Sequence, residues 1–60
     1  MKITELRIGD LVNDKTTQLE FYVVGVWGDP EEPDKGTVYL DFDGNEADVW
    51  ECDINDIDWA

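Results

Sequence analysis

Hydrophobic and polar residues alternate most clearly in the segment Thr37–Glu51. Val38, Leu40 and Phe42 occupy every second position, and this period of two is typical of a half-buried β-strand. Asp43-Gly44-Asn45 then supplies residues that tolerate positive φ, as a two-residue hairpin turn requires. The segment is therefore predicted to be a β-hairpin whose inner face consists of Val38, Leu40, Phe42, Ala47 and Val49.

The turn of this hairpin can centre on Asp43-Gly44 or on Gly44-Asn45. In either register Leu40 faces a smaller apolar residue, Ala47 or Val49, whereas a three-residue loop would set it against an acid. The composition of the two faces is thus better determined than the register.

The outer face of the predicted hairpin carries the candidate chemistry. Both registers place Asp41 opposite a second carboxylate, Glu46 or Asp48, and like charges in such pairs destabilise a sheet. Tyr39 and Trp50 are expected among these acids, where aromatic rings and carboxylates together can bind Lys or Arg side chains. The alternative is a cross-strand aromatic pair that only covers the sheet. The candidate binding residues are Tyr39, Asp41, Asp43, Glu46, Asp48 and Trp50.

The rest of the chain predicts short strands separated by turns. Residues 11–13 form a first strand, and the apolar run 19–27 forms a central one, rich in β-branched and aromatic residues. Gly25 is the expected position of a bulge. A breaker-rich loop follows at 28–36. The opening segment, 1–8, is predicted to be a lead-in or 3₁₀ turn.

The end of the chain is predicted to close one side of the core. Cys52, Ile54 and Ile57 contribute to it through a short turn over 53–56, followed by a last strand at 57–59. The core is expected to consist of Phe21, Trp27, Leu40 and Phe42, one or more of the remaining tryptophans, and the Ile, Leu and Val residues. We therefore predict a single all-β domain over residues 1–60. The expected fold is a small five-stranded SH3-like barrel with a short 3₁₀ turn before the last strand.

The opening of the chain also carries a resemblance. It is similar to a group of short bacterial and prophage-type proteins of unknown function that begin with a Leu-Arg-x-Gly-Asn/Asp-x-Val signature. The matching residues are Glu5-Leu6-Arg7-Ile8-Gly9-Asp10-Leu11-Val12. The hairpin over 37–51 and the segment 53–57 also resemble the corresponding parts of that group. The resemblance implies an SH3-like barrel and no catalytic residues.

Charge narrows the range of partners. Sixteen acidic residues against four basic ones give a formal net charge of −12, and the segment from Asp41 to Ala60 contains eight acids and no base. Such a field repels nucleic acid and anionic membranes and attracts basic protein surfaces. With one cysteine, no long apolar run and no signal-peptide pattern, the sequence predicts a cytoplasmic protein.

Enzymatic and metal chemistry find little support in the residue types. The chain has no histidine and only one cysteine, so it offers no nucleophile–base pair and no zinc site, and no cofactor is expected. Asp41, Asp43 and Asn45 match only the first half of a calcium-binding EF-hand loop. Weak Ca²⁺ binding at these three residues is the remaining metal hypothesis.

Three functions are consistent with these observations. The first is a non-enzymatic acidic module that binds a basic protein surface or peptide through the outer face of the hairpin 37–51. The second is an inhibitor that mimics DNA and occupies the site of a DNA-binding protein, which would require two rows of carboxylates at phosphate-like spacing. The third is a structural small subunit whose acidity serves solubility.

Overall fold

A computed structural model describes residues 1–44 and 48–60, and within them the chain forms one antiparallel sheet. The strand order is β4-β3-β2-β1-β5. Two single-turn 3₁₀ helices, Ile3–Glu5 and Ile54–Asp56, precede β1 and β5 respectively. The strands are β1 (Leu11–Asp14), β2 (Glu20–Trp27), β3 (Thr37–Asp41), β4 (Trp50–Asp53) and β5 (Ile57–Trp59). The all-β class, the opening 3₁₀ turn and the short turn before the last strand are confirmed.

The hydrophobic core lies on one face of this sheet, which we call the inner face. Its fully buried residues come from β1, β2, β3, the second 3₁₀ helix and β5, and the first 3₁₀ helix covers them with Ile3 and Leu6. They are Val12, Phe21, Val23, Val38, Leu40, Ile54 and Ile57. Cys52 packs against this core from β4 and is partly buried, as its predicted place in the core requires.

Two of the predicted core aromatics are not core residues. Trp27 is 71% exposed and Phe42 is 48% exposed. Trp27 is the last residue of β2 and pairs with Thr37 of β3, so these two residues share a face. The next residue of β3, Val38, is buried on the opposite face, so Trp27 lies on the side away from the core. For Trp27 the prediction failed because size and hydrophobicity alone do not give the side of a strand on which a residue lies. Phe42 lies on the predicted inner side, against Phe21, but it follows the end of β3 at the margin of the core.

The predicted irregularity at Gly25 is present. Val23 pairs with Leu40 while Gly25 pairs with Tyr39, so Val24 is an extra residue of a β-bulge. A bulge reverses the alternation of faces along its strand, and both Val23 and Val24 are buried as a result. This explains why apolar residues of the run 19–27 occur on both parities.

The sheet is strongly curved, as the connection between its two edges requires. β4 ends at Asp53 and β5 begins at Ile57, on the opposite edge of the sheet. Four residue steps span at most about 14 Å, whereas the edges of a flat five-stranded sheet lie about 19 Å apart. Among the described strands β4 and β5 are not paired with each other, so the sheet remains open.

Neither predicted register of the hairpin is found, and Asn45 of the predicted turn lies outside the described residues. Leu40 pairs with Trp50 and Tyr39 with Glu51, so the strands separate after Asp41 and the chain leaves the ladder well before the predicted turn. The reason is local: the backbone N–H of Asp43 donates to Oδ2 of Asp41 at 3.0 Å. This side-chain bond replaces a ladder bond and ends β3.

The observed register also changes the inner face of the hairpin. Trp50, rather than Ala47 or Val49, is the cross-strand partner of Leu40. The ring of Trp50 packs on Phe21 at a centroid distance of 5.6 Å, which gives this register an aromatic contact. Val49 is 42% exposed, and Ala47 lies outside the described residues.

Candidate interaction surface

The predicted pairing of Tyr39 with Trp50 is not found. Tyr39 faces Glu51 across β3 and β4, and Trp50 faces the buried Leu40. Directly paired residues share a face and neighbouring residues alternate, so the two rings lie on opposite sides of the sheet. Tyr39 stays on the predicted outer face, whereas Trp50 belongs to the inner one.

The acidic members of the predicted site are also separated. Asp41 lies on the predicted side of its strand but is only 3% exposed, so it is not presented to a partner. Asp43 and Asp48 are exposed, and Glu46 lies outside the described residues. The predicted opposition of Asp41 to Glu46 or Asp48 required a register that the strands do not have.

The structure describes only part of the predicted Ca²⁺ site at Asp41, Asp43 and Asn45. Oδ2 of Asp41 already accepts the N–H of Asp43, and Asn45 lies outside the described residues. Within residues 1–44 and 48–60 no group of three or more acidic or cysteine side chains is placed to hold a metal ion. Weak Ca²⁺ binding stays a prediction.

A different set of residues shares the outer face of the sheet. Tyr39 of β3 pairs with Glu51 of β4, so these two residues share the outer face. Thr37, two residues before Tyr39 and on the same face, pairs with Trp27 of β2. Tyr22 pairs with Leu11 on β1, and Asn13 lies between Glu20 and Asp58. We define the outer face by its acidic and large apolar members, which are Leu11, Glu20, Tyr22, Trp27, Tyr39, the buried Asp41, Glu51, Asp53 and Asp58.

Two glycines lie against the two tyrosines of the outer face. A Cβ atom added to Gly25 would lie 3.3 Å from Cδ2 of Tyr39, so the ring lies directly over the bulge. A Cβ atom added to Gly44 would lie 3.6 Å from Cβ of Tyr22. Tyr22 nevertheless remains 40% exposed. The outer face therefore presents tyrosine side chains that lie close to the backbone at two glycines.

The electrostatics of the strands are one-sided. No strand contains a lysine or arginine, and together the five strands contain six acids: Asp14, Glu20, Asp41, Glu51, Asp53 and Asp58. In the described strand pairs no acid faces another acid; the outer-face partners are Tyr, Thr or Asn. The exposed carboxylates of the outer face thus face neutral neighbours across the strands, without the like-charge cost that the predicted register implied.

The inner face carries a second feature, which we call the aromatic cluster: Phe21, Phe42 and Trp50. The centroids of Phe21 and Phe42 are 4.5 Å apart, and Phe42 meets Trp50 edge to face at 6.3 Å. Phe21 is buried, whereas Phe42 and Trp50 are 48% and 42% exposed. The cluster is therefore a continuation of the core that reaches the surface beside β4.

Cys52 is the single thiol, and its surroundings keep it protonated. Burial raises the pKa of the thiol above its ordinary value, and the negative charges of Asp14 and Asp56 raise it further. A raised pKa lowers the fraction of reactive thiolate at neutral pH.

Sequence reasoning missed Tyr22, Trp27 and Glu51 as surface candidates. Tyr22 and Trp27 belong to the apolar run 19–27, and Glu51 stands where the inward alternation of the hairpin ends. Gly25 is the sequence feature that indicates the outward positions, because a bulge at this glycine changes which residues of 19–27 point outward.

No protein-family model, curated protein or solved structure matches this chain significantly. In the part of the chain that the structure describes, no helix is long and apolar enough to span a membrane.

Proposed function

We propose that this protein is a non-enzymatic interaction module that binds a basic protein surface or peptide through the outer face of its sheet. The observation that carries the proposal is the absence of lysine and arginine from all five strands, whose outer face sets the exposed Glu51 beside the ring of Tyr39. Carboxylates supply charge pairing and the rings supply cation–π contact, worth about 0.5–1 kcal/mol at an exposed site. The contact is centred on Tyr39 and Glu51 and extends beyond the predicted hairpin to β1, β2 and β5.

A triple substitution tests the role of the outer face. Glu20→Gln, Glu51→Gln and Asp58→Asn remove three exposed carboxylates while keeping side-chain size. The probe is a peptide of alternating lysine and serine, titrated by calorimetry at low and high salt. Exposed ion pairs contribute about 0.2–1 kcal/mol each, so we expect the three changes together to weaken binding by about tenfold.

A matched control separates this surface from net charge. Glu31→Gln, Glu32→Gln and Asp34→Asn change the net charge of −12 by the same amount, but they lie in the loop 28–36. We expect the control to weaken binding by less than about threefold, because screened charges act over roughly 10 Å or less. Equal losses in both triples would show that only total charge matters. Affinity that does not change with salt would remove the electrostatic basis of the proposal.

We further propose that the curved sheet is an SH3-like barrel. The support is the short Ile54–Asp56 connection, which brings the ends of the edge strands β4 and β5 toward each other. Nuclear Overhauser contacts between inner-face protons of β4 and β5 would support a barrel. Their absence, with the β1–β5 contacts intact, would leave an open curved sheet.

A further inference from the structure

The aromatic cluster has no role in the outer-face contact, and among the described residues it leaves large apolar rings of the inner face exposed beside β4. Phe42 and Trp50 expose about half of their side chains while resting on the buried Phe21. The first 3₁₀ helix and the second one cover other parts of the core with Ile3, Leu6 and Ile54. Half-exposed aromatic rings that pack on a buried aromatic residue are typical of the anchor residues of protein interfaces, and tryptophan is enriched among those anchors.

The charges around the cluster determine what can cover it. Asp43 follows Phe42 directly, and Asp48 lies two residues before Trp50; both are exposed. The whole segment from Asp41 onward lacks a base. A second copy of this chain would bring its own net charge of −12 to the contact, which disfavours self-association. A partner with both apolar and basic side chains is complementary.

We infer that the aromatic cluster binds the apolar anchor residues of an amphipathic basic segment, whose lysines or arginines pair with the acids beside it. The inference rests on the proposed function, because it names the kind of basic partner. One segment can reach both surfaces because β4 is an edge strand. Trp50 lies on the inner side of that edge and Glu51, the next residue, on the outer side.

Two peptides of equal charge test this inference. One is the lysine–serine peptide; the other replaces the serines by leucines so that lysines and leucines form separate faces of a helix. We expect the lysine–leucine peptide to bind at least about tenfold more tightly, the effect of one well-buried anchor. Trp50→Ser and Phe42→Ser should each remove most of that advantage. Ile8→Ser, a change at a 75% exposed apolar residue that belongs to neither surface, should leave it intact.

A spectroscopic measurement covers the case in which an inner-face variant fails to fold. The chain has three tryptophans, so Trp27→Phe with Trp59→Phe leaves Trp50 as the only indole emitter. Burial of its ring by the lysine–leucine peptide should shift the emission to shorter wavelength, and the lysine–serine peptide should not. No shift on saturation with the lysine–leucine peptide would overturn the inference.

The outcomes separate this inference from the proposed function. Equal affinity for both peptides, still sensitive to salt and to the outer-face triple, would overturn the inference and leave the function standing. No binding of either peptide would overturn both. Concentration-dependent dimerisation that Trp50→Ser abolishes would show that a second copy, rather than a basic segment, covers the cluster.

Discussion

Among the glycines, Gly36 is the position where an added methyl group should lower the free energy of unfolding most, because the added atom would lie too close to its neighbours. A Cβ atom at this residue would lie 2.7 Å from the backbone oxygen of Trp27 and 2.7 Å from Cγ2 of Ile3. The first contact is with backbone at the end of β2, so it cannot be relieved by a side-chain rotation. Gly36→Ala must therefore push β2 and β3 apart where the loop 28–36 joins them.

The cost can be estimated from two contributions. Overpacking by a methyl group costs about 1–3 kcal/mol. Any shift of Gly36 also weakens the bond that its carbonyl accepts from the N–H of Ile54, at 3.0 Å, and a net hydrogen bond contributes about 1 kcal/mol. The expected loss is about 2–4 kcal/mol. That is a large part of the total stability of a domain of 60 residues, which is about 3–9 kcal/mol at typical values per residue.

Gly25→Ala is the matched control. Both substitutions are glycine to alanine, so both gain the same stabilisation from a stiffer unfolded chain, about 0.4–1 kcal/mol. At Gly25 the nearest atom to the new Cβ is Cδ2 of Tyr39 at 3.3 Å, a side-chain atom that can shift by a few tenths of an ångström. We expect Gly25→Ala to change the free energy of unfolding by less than about 1 kcal/mol.

Urea unfolding followed by tryptophan fluorescence measures both free energies. The difference between the two variants reports the backbone contact together with the strain of an alanine at the φ of +155° that Gly36 adopts, provided that the slope of the free energy with urea stays the same. If Gly36→Ala unfolds at the same urea concentration as Gly25→Ala, the close approach of the Trp27 carbonyl does not limit this position and the reasoning fails.

Two further predictions concern groups beside the core. Asp14 is buried and accepts hydrogen bonds from the N–H of Thr16 at 3.2 Å and from the hydroxyl of Thr17 at 2.8 Å. In urea unfolding, Asp14→Ala should lower the free energy of unfolding by about 1–3 kcal/mol, and Asp14→Asn should lower it by less. Equal stability of Asp14→Ala and the parent chain would contradict the role of these bonds. Burial and nearby acids raise the pKa of Cys52, so alkylation of the folded chain should begin at a higher pH than alkylation of the urea-unfolded chain. The folded state holds the thiol proton more tightly than the unfolded state, so the free energy of unfolding should fall as the pH increases through the raised pKa. Asp56→Asn should move the alkylation profile to lower pH, and a profile identical in folded and unfolded chains would refute the effect.

The strands could be located from the sequence because their patterns are local. The runs at 11–14, 20–27 and 57–59 are bounded by polar or breaker residues, and the bulge coincides with the one glycine inside a strand. The register of β3 with β4 is not local. It depends on the Asp41 side chain taking the N–H of Asp43 and on Trp50 reaching Phe21, and neither contact has a signature in the alternation of residues.

The candidate site was affected by that register. A shift in pairing moved Trp50 to the inner face and left Tyr39 on the outer one, so the two aromatic members of the predicted cluster lie on different surfaces. The prediction of an acidic surface beside an aromatic ring needed only charge counting and a strand period, and Tyr39 with Glu51 has that character. Which acids accompany the ring required the pairing itself.

The acids of the edge strands have a second explanation that must be weighed against partner binding. Charged side chains on β4 and β5, such as Glu51, Asp53 and Asp58, keep exposed edges from pairing with other chains. That explanation does not cover Glu20, which is exposed on the interior strand β2. Nor does it account for the sign, because lysine protects an edge equally well and no strand contains one. Edge protection requires charge, whereas a uniform negative sign across edge and interior strands favours a basic partner. The same carboxylates can therefore keep copies of this chain apart and leave the outer face available to that partner.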